Sequence, residues 1–353
     1  MTAVRLDDVS VRLGRQPILD GVDVTIGRGE FAAVIGPSGS GKSTLLRAIA
    51  GLVTPEHGRV LFDEVDVTPT KPAQRDIGLV FQSPALLPTR NVRRNVEFPL
   101  EIRKETAAVI RDRVGAEVRA LHIEHLLERH PSKLSRGEQQ LVQIARTMVR
   151  TPRLLLLDEP FAPLDEHLRS RMRSEIRLLQ QGYGITTLMA TNDPTDAMSL
   201  ATLVIVLGGF PARVVQVGTP ADVHDEPASL DIAAGTGPLW QLSVHVEADT
   251  DGCWLTSPGA LRLRSWAPEL VARSGSTVVL GVRTGGLVRD VGGQAIARLE
   301  RLVPGAVGSL LCRWGNRLVT ATGEATSAEI GTDIGLRVEH PLVFDPDSGT
   351  RLA

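Results

Sequence analysis

Two cysteines, Cys253 and Cys312, are all that this 353-residue chain contains. So few exclude a disulfide framework, and their spacing fits no thiolate metal site, so both are expected as buried free thiols. Long apolar runs are missing too. The longest candidates, Leu154–Leu157 and Leu203–Leu207, are strand-sized, whereas a bilayer-crossing helix needs about 20 apolar residues. The opening stretch, Met1-Thr-Ala-Val-Arg-Leu-Asp-Asp8, lacks an apolar signal core, so the protein is expected to stay in the cytosol. The formal net charge is only −2, which gives no bulk attraction to nucleic acid. Lysine is scarce, 4 against 35 arginines, a bias that reads as codon usage rather than function. Low-complexity tracts and repeats of solenoid length are absent as well.

What is present begins at an apolar run, Phe31–Ile35, which feeds Gly36, Pro37, Ser38, Gly39, Ser40, Gly41, Lys42, Ser43 and Thr44. The chain then continues as Leu45-Leu-Arg-Ala-Ile-Ala50, so the order predicts strand, glycine-rich loop, helix. Glycines let backbone N–H groups turn inward around phosphate oxygens, and a helix N-terminus adds positive potential. In such a loop Lys42 would reach the β- and γ-phosphates of a nucleotide, and the Ser43 hydroxyl would complete a Mg²⁺ shell.

Residues 1 to about 230 alternate strand-like apolar runs with amphipathic stretches, as a layered α/β domain does. Within them, 84–150 reads as mostly helical: Ile110, Val114, Val118 and Leu121 recur at helical spacing, as do Leu141, Ile144, Ala145 and Met148. A further helix carries Leu168, Met172, Ile176 and Leu179 on one face. After Leu230 the texture changes. Ala233-Ala-Gly-Thr-Gly-Pro238 reads as a linker, and beyond it short alternating runs such as Leu242–Val246, Thr277–Val282 and Gly335–Val338 predict a small all-β module.

Four polar groups follow predicted strands: the glycine-rich loop after Ile35, Gln82 after Ile77–Phe81, Asp158-Glu159 after Leu154–Leu157, and Asn192 after Ile185–Thr191. Ligands of open parallel sheets bind outside the carboxyl ends of the strands, so these groups are expected to face one nucleotide. Asp158 would hold Mg²⁺, Glu159 would act as general base or orient the attacking water, and Gln82 would contact both metal and water. Separately, Ser135 with Glu138 three residues later is a capping box. On its own that signals no more than a well-started helix.

Taken in order, the loop, Gln82, Leu134-Ser-Arg-Gly-Glu138, Leu154–Glu159, Leu164-Asp165 and Thr191-Asn-Asp-Pro194 resemble an ABC-transporter ATPase over residues 3 to 230. Val217-Gly-Thr-Pro220, Val279–Arg283 and Val343–Leu352 resemble the β-barrel appendage of maltose-type importer ATPases. The implied fold is α/β: a P-loop NTPase domain of the ABC type over 1–235 with its helical subdomain at about 84–150, then an all-β, OB-like (TOBE) domain over 236–353. The resemblance implies ATP and Mg²⁺ as ligands and two subunits closing head-to-tail. Ser135, Arg136, Gly137 and Glu138 of one would then meet the γ-phosphate held by the other, with Asp165 lining the seam. It further implies two membrane permease subunits with coupling helices near the Gln82 loop and an extracytoplasmic solute-binding protein. Peripheral placement on the cytoplasmic side of the cell membrane and no nucleic acid partner follow, with sugars or glycerol phosphates as expected solutes.

Three positions depart from that family. Residues 1–30 hold no Phe, Tyr or Trp, so Leu13 stands where an aromatic would stack on adenine and offers apolar contact only. Arg136 replaces a glycine and Glu138 a glutamine; Arg136 could pair with a phosphate, with Glu138, or face solvent. Asn192 replaces the switch histidine: its amide donates a hydrogen bond but carries no charge, so turnover is expected to be reduced. The pair is expected to be a homodimer, or a heterodimer with a related ATPase. The alternative is a low-activity nucleotide-binding regulatory subunit beside an active partner.

Overall fold

The computed structural model describes residues 2–162, 164–257, 261–303, 308–314, 317–324 and 329–353. The chain divides into two units, Met1–Ala221 and Asp222–Ala353. The first runs β1 (Val4–Leu13), β2 (Gln16–Ile26), β3 (Phe31–Ile35), α1 (Lys42–Ala50), β4 (His57–Phe62), β5 (Val65–Asp66), β6 (Ile77–Val80), α2 (Val92–Ile102), α3 (Ala107–Ala120) and α4 (Arg136–Met148). It continues through β7 (Leu154–Asp158), α5 (Glu166–Tyr183), β8 (Thr186–Ala190), α6 (Pro194–Leu200), β9 (Leu203–Gly208) and β10 (Arg213–Gly218), with α7 (Pro220–Asp225) spanning the division.

The most apolar runs become strands buried along their whole length. β3, β7 and β8 are such strands, as parallel sheets covered on both faces require. They lie in a sheet of order β10-β9-β3-β8-β7-β6, parallel from β9 to β6 with β10 antiparallel at the edge. A second, antiparallel sheet has the order β2-β1-β4-β5. Between the two, Leu45, Leu46 and Ile49 of α1 join Val34, Leu188 and Ile205 on one side and Leu6 and Val60 on the other in one core. The helix that begins at Lys42 is therefore walled in by both sheets.

The far end of α1 is held by a buried arginine. Arg75 donates from Nη1 to the Ala48 and Ile49 carbonyls (3.0 and 2.7 Å), from Nη2 to Thr68 O (3.0 Å) and from Nε to Thr70 O (3.0 Å). Two of these carbonyls, Ala48 and Ile49, lie at the C-terminal end of α1, where the helix presents its negative dipole end. Gly51, at φ 75°, makes the room: a Cβ there would lie 2.6 Å from Arg75 Nε.

The region 84–150 carries α2, α3 and α4 as expected. Val114, Val118, Leu121, Ile144, Ala145 and Met148 are buried on the faces read from the sequence. Four buried polar residues were not expected: Asn95 on α2, Glu117 on α3, and Gln140 and Gln143 on α4. Glu117 accepts a 2.6 Å hydrogen bond from Tyr183, the single tyrosine, on α5. Burial pushes this carboxyl above its usual range, against the lowering effect of the tyrosine bond.

The second unit begins with the rest of α7 and α8 (Leu230–Gly235), then β11 (Leu239–Asp249), β12 (Gly252–Ser257), β13 (Leu261–Ser265), α9 (Pro268–Val271) and β14 (Thr277–Arg283). β15 (Leu287–Arg289), β16 (Ala295–Leu302), β17 (Ser309–Trp314), β18 (Arg317–Thr322), β19 (Asp333–Val338) and β20 (Leu342–Phe344) complete it. β16 pairs β17, β17 pairs β18, β18 pairs β15, β15 pairs β19, and β19 returns to β16, so the strands close into a barrel. Cys253 and Cys312 are buried free thiols in this unit's core. The stretch 233–238, expected as a linker, is anchored instead. Helix α8 runs through Gly235, and Arg283 donates to Thr236 Oγ1 (2.9 Å) and Gly237 O (3.2 Å). Among the described residues no helix is long and apolar enough to cross a membrane.

Candidate active site

Strands β3, β8, β7 and β6 are neighbours in that order and run the same way. Their carboxyl ends therefore share one edge of the sheet. The glycine-rich loop leaves β3 there, Asn192 follows β8, Asp158 ends β7 with Glu159 next, and Gln82 follows β6 in an exposed bend.

In the loop, Gly36, Gly39 and Gly41 have φ of 150°, 81° and 82°. At Gly36 a Cβ would come 2.4 Å from Leu207 O, and at Gly41 2.7 Å from a Leu19 methyl; these two positions admit glycine for space as well as for φ. Gly41 is also the N-cap of α1, with no side-chain capping bond and no acidic residue in the first turn. The first N–H groups of α1 thus lack a side-chain cap, which suits an anionic ligand. Ser40 and Thr44 are buried and Ser38 is exposed. Lys42 is buried, and its Nζ donates to Gly36 O and Pro37 O, both at 2.8 Å, wrapping the loop around the ammonium. Burial lowers the Lys42 pKa, opposed by Glu159 and Asp158.

Across from it, Ser43 Oγ donates to Asp158 Oδ1 at 2.7 Å. Glu159 has φ 47°, and its N–H bonds Ala190 O at 2.9 Å. This left-handed turn directly after β7 directs the chain away from the sheet. Asn192 Nδ2 donates to Glu159 Oε1. Partial burial raises the Glu159 pKa, with Lys42 pulling it down and Asp158 adding to the rise. A carboxyl held above its ordinary range and aimed at phosphate-binding groups suits a proton acceptor.

Two residues that sequence reasoning passed over hold the segment after Gln82. Asn95 Oδ1 accepts from Leu87 N at 2.8 Å, while Asn95 Nδ2 donates to the Leu87, Arg90 and Asn91 carbonyls at 3.1, 3.0 and 3.0 Å. Arg146, on α4, donates to Ala85 O at 2.6 Å. Both lie inside helical periodicity, where a lone polar residue reads as solvated; only its partner in the tertiary fold marks it.

The Ser135–Glu138 capping box is present: Ser135 N donates to Glu138 Oε2 at 2.7 Å, and Glu138 N to Ser135 Oγ at 3.2 Å. Arg129 also lies 3.6 Å from the Glu138 carboxylate. That carboxylate is thus engaged away from Arg136, which is exposed. Gly137 lets α4 approach α5 closely, since a Cβ would lie 2.3 Å from a Leu168 methyl. Asp165 caps α5 by accepting from Leu168 N at 2.9 Å. Leu13, the last residue of β1, is 44% exposed. Among the described residues none of Ser135, Arg136, Gly137, Glu138 and Asp165 bonds to the glycine-rich loop within one chain.

The ABC transporter family model matches residues 19–162. The sn-glycerol-3-phosphate import ATP-binding protein UgpC of Bordetella pertussis is 38% identical over 353 residues, spanning 96% of this chain and 95% of that protein. UgpC of Ruegeria sp. is 36% identical over 363 residues, spanning 100% of each. Among solved structures, cbiO1 of Clostridium perfringens, part of the ABC transporter complex cbiONQ, matches with TM-score 0.58 and 31% identity over 62% of this chain and 89% of that one. The ATP-binding cassette MJ0796, dimeric and bound to ADP and Pi, matches with TM-score 0.56 and 29% identity over 62% and 98%. Full-length likeness to import ATP-binding proteins and the glycine-rich loop at the sheet edge agree: the chain belongs to the ABC transporter family, as the ATP-binding and ATP-hydrolysing subunit of a maltose-type importer.

Proposed function

We propose that this subunit hydrolyses Mg²⁺-ATP to drive uptake of sn-glycerol 3-phosphate or a sugar. It works as a pair of copies on the cytoplasmic face of the membrane, with two permease subunits and an extracytoplasmic solute-binding protein. The observation that carries this reading is the shared sheet edge holding Lys42, Asp158, Glu159 and Asn192 in a chain like UgpC along its whole length.

Lys42 and the start of α1 hold the β- and γ-phosphates. Ser43 and Asp158, with Gln82, would hold Mg²⁺; two hard oxygen donors 2.7 Å apart suit that ion. The ion supplies charge neutralisation on the phosphates. Glu159 orients the attacking water and takes its proton, and Asn192 orients Glu159. Ser135, Arg136, Gly137 and Glu138 of the second copy close over the γ-phosphate, and Asp165 lines the seam. Leu13 touches adenine without stacking. The boundary we propose is an ATPase domain over 1–235, with its helical subdomain near 84–150, and a barrel domain over 236–353.

The test is uptake into proteoliposomes carrying the assembled transporter with ATP inside. Labelled sn-glycerol 3-phosphate should enter only with hydrolysable ATP and Mg²⁺. Entry of neither glycerol phosphate nor a sugar such as maltose would overturn the substrate assignment.

Asn192 favours one refinement. A histidine there adds a charge-assisted contact worth about 1 kcal/mol, so Asn192→His should raise phosphate release about fivefold. Steady-state turnover of the purified complex reads this directly, and an unchanged rate shows that the asparagine does not limit it.

A further inference from the structure

We propose that Arg169 is a positioning residue for hydrolysis: its guanidinium fastens together the two backbone segments that carry Glu159 and Asn192. The proposal rests on the reading of Glu159 as the proton acceptor. Arg169 lies in the first turns of α5. Its Nη1 donates to Asp193 Oδ2, and its Nη2 to Phe161 O at 3.5 Å. Asp193 directly follows Asn192, and Phe161 stands two residues beyond Glu159. With the Asn192 amide on Glu159 Oε1, the contacts close a ring: Glu159 through Phe161 to Arg169, on to Asp193 and Asn192, and back to Glu159.

Each side of the ring is tied down. Asp193 Oδ1 accepts from Thr195 N at 2.8 Å and Asp193 N donates to Thr191 Oγ1 at 3.0 Å, while Thr191 N bonds Val34 O of β3 at 3.1 Å. On the other side Ala162 N bonds Glu159 O at 3.3 Å and Leu164 N bonds Phe161 O at 3.0 Å. Glu159 itself has φ 47°, a conformation that non-glycine residues keep only where the surroundings impose it. Arg169 supplies that constraint from both flanks.

A plain surface ion pair has a different setting. The Arg169 and Asp193 side chains are 19% and 32% exposed, and the second bond goes to the backbone carbonyl two residues past Glu159. Nor is Arg169 needed to dock α5 on α6. One turn on, Arg173 donates to the buried Asp196 at 2.8 Å and to Glu166 at 2.9 Å.

The experiment compares Arg169→Met and Arg169→Lys with the parent in the assembled transporter. It reads kcat, the KM for ATP and the thermal midpoint. Arg169→Met should lower kcat about tenfold or more, since small misplacements of a reacting group cost that much, with KM unchanged because the phosphate loop is untouched. Arg169→Lys should recover part of kcat, because its ammonium can still donate to Asp193. The proposal is overturned if Arg169→Met keeps parental kcat, or loses kcat only in step with a fall in thermal midpoint and an equal loss in Arg169→Lys. Glu159→Gln run alongside separates the two ideas. If it still hydrolyses ATP the reading of Glu159 fails, and if it is inactive while Arg169→Met is unimpaired only the role of Arg169 fails.

Discussion

Glu159→Gln is expected to lower Mg²⁺-dependent phosphate release by about 10²–10⁴-fold, the span that a positioned general base contributes. Glutamine keeps the shape of glutamate and can still accept from Asn192 Nδ2, but it cannot take a proton. Lys42, Ser43 and Asp158 keep their own contacts, so ATP affinity should hold within about twofold. The same substitution should stabilise the chain, in a direction that the Glu159 environment fixes. Burial holds this carboxyl above its ordinary pKa, so the folded chain retains the proton to higher pH than the unfolded chain does. The proton-linked stability is complete below the unfolded value of about 4.3 and is lost as pH rises through the folded one. Glutamine never ionises. The variant should therefore melt higher than the parent at pH 8, with a smaller difference at pH 4.5. Phosphate release, fluorescent-nucleotide binding and thermal melts at the two pH values check all three parts. Parental hydrolysis would remove Glu159 from the role of base.

Arg75→Met should cost the Met1–Ala221 unit about 3–5 kcal/mol. Methionine fills much of the volume but leaves the Ile49, Thr68 and Thr70 carbonyls without their guanidinium donors, while Ala48 O keeps only Gly51 N at 3.0 Å. Two of these lie in the last turn of α1, so the negative end of the helix loses its balancing charge. At about 2–4 °C per kcal/mol, the unit's melting midpoint should fall by about 10 °C. Arg75→Lys should recover little, because one ammonium cannot reach carbonyls on two segments. Calorimetry with and without ATP separates this from a nucleotide effect. A midpoint within about 2 °C of the parent would show that water replaces the guanidinium at no cost.

The parts that could be read from the sequence are those whose signal is local. Phe31–Thr44 predicts strand, loop and helix because glycine spacing and an uncharged run are both short-range properties. Ser135 and Glu138 predict their own capping box. The faces of α4 and α5 follow from spacing, and Met172, Ile176 and Leu179 are buried on the face expected. Gln82, Asp158, Glu159 and Asn192 were each placed at a strand end, and the parallel order of the sheet turns four separate ends into one edge. What could not be read depends on partners distant in the chain. Arg75 reads as a loop arginine until Thr68, Thr70 and α1 surround it. Glu117 reads as an exposed helix residue until Tyr183 meets it 66 positions later. Arg169 gives no sign of its partner because Asp193 is 24 residues on, past β8.

The order of the central sheet also governs when a working site can first exist as the chain is made. β3 and β7 touch no common strand except β8, which lies between them. Until Thr186–Ala190 has emerged, no strand pairing joins the β3 that leads into the phosphate loop to the β7 that carries the acidic pair. A nascent chain that ends before residue 186 thus exposes both edges of β3 and one edge of β7, apolar surfaces of the kind that invite misassembly. The arrival of β8 creates the catalytic edge, and β9 then covers the edge of β3 that is still open.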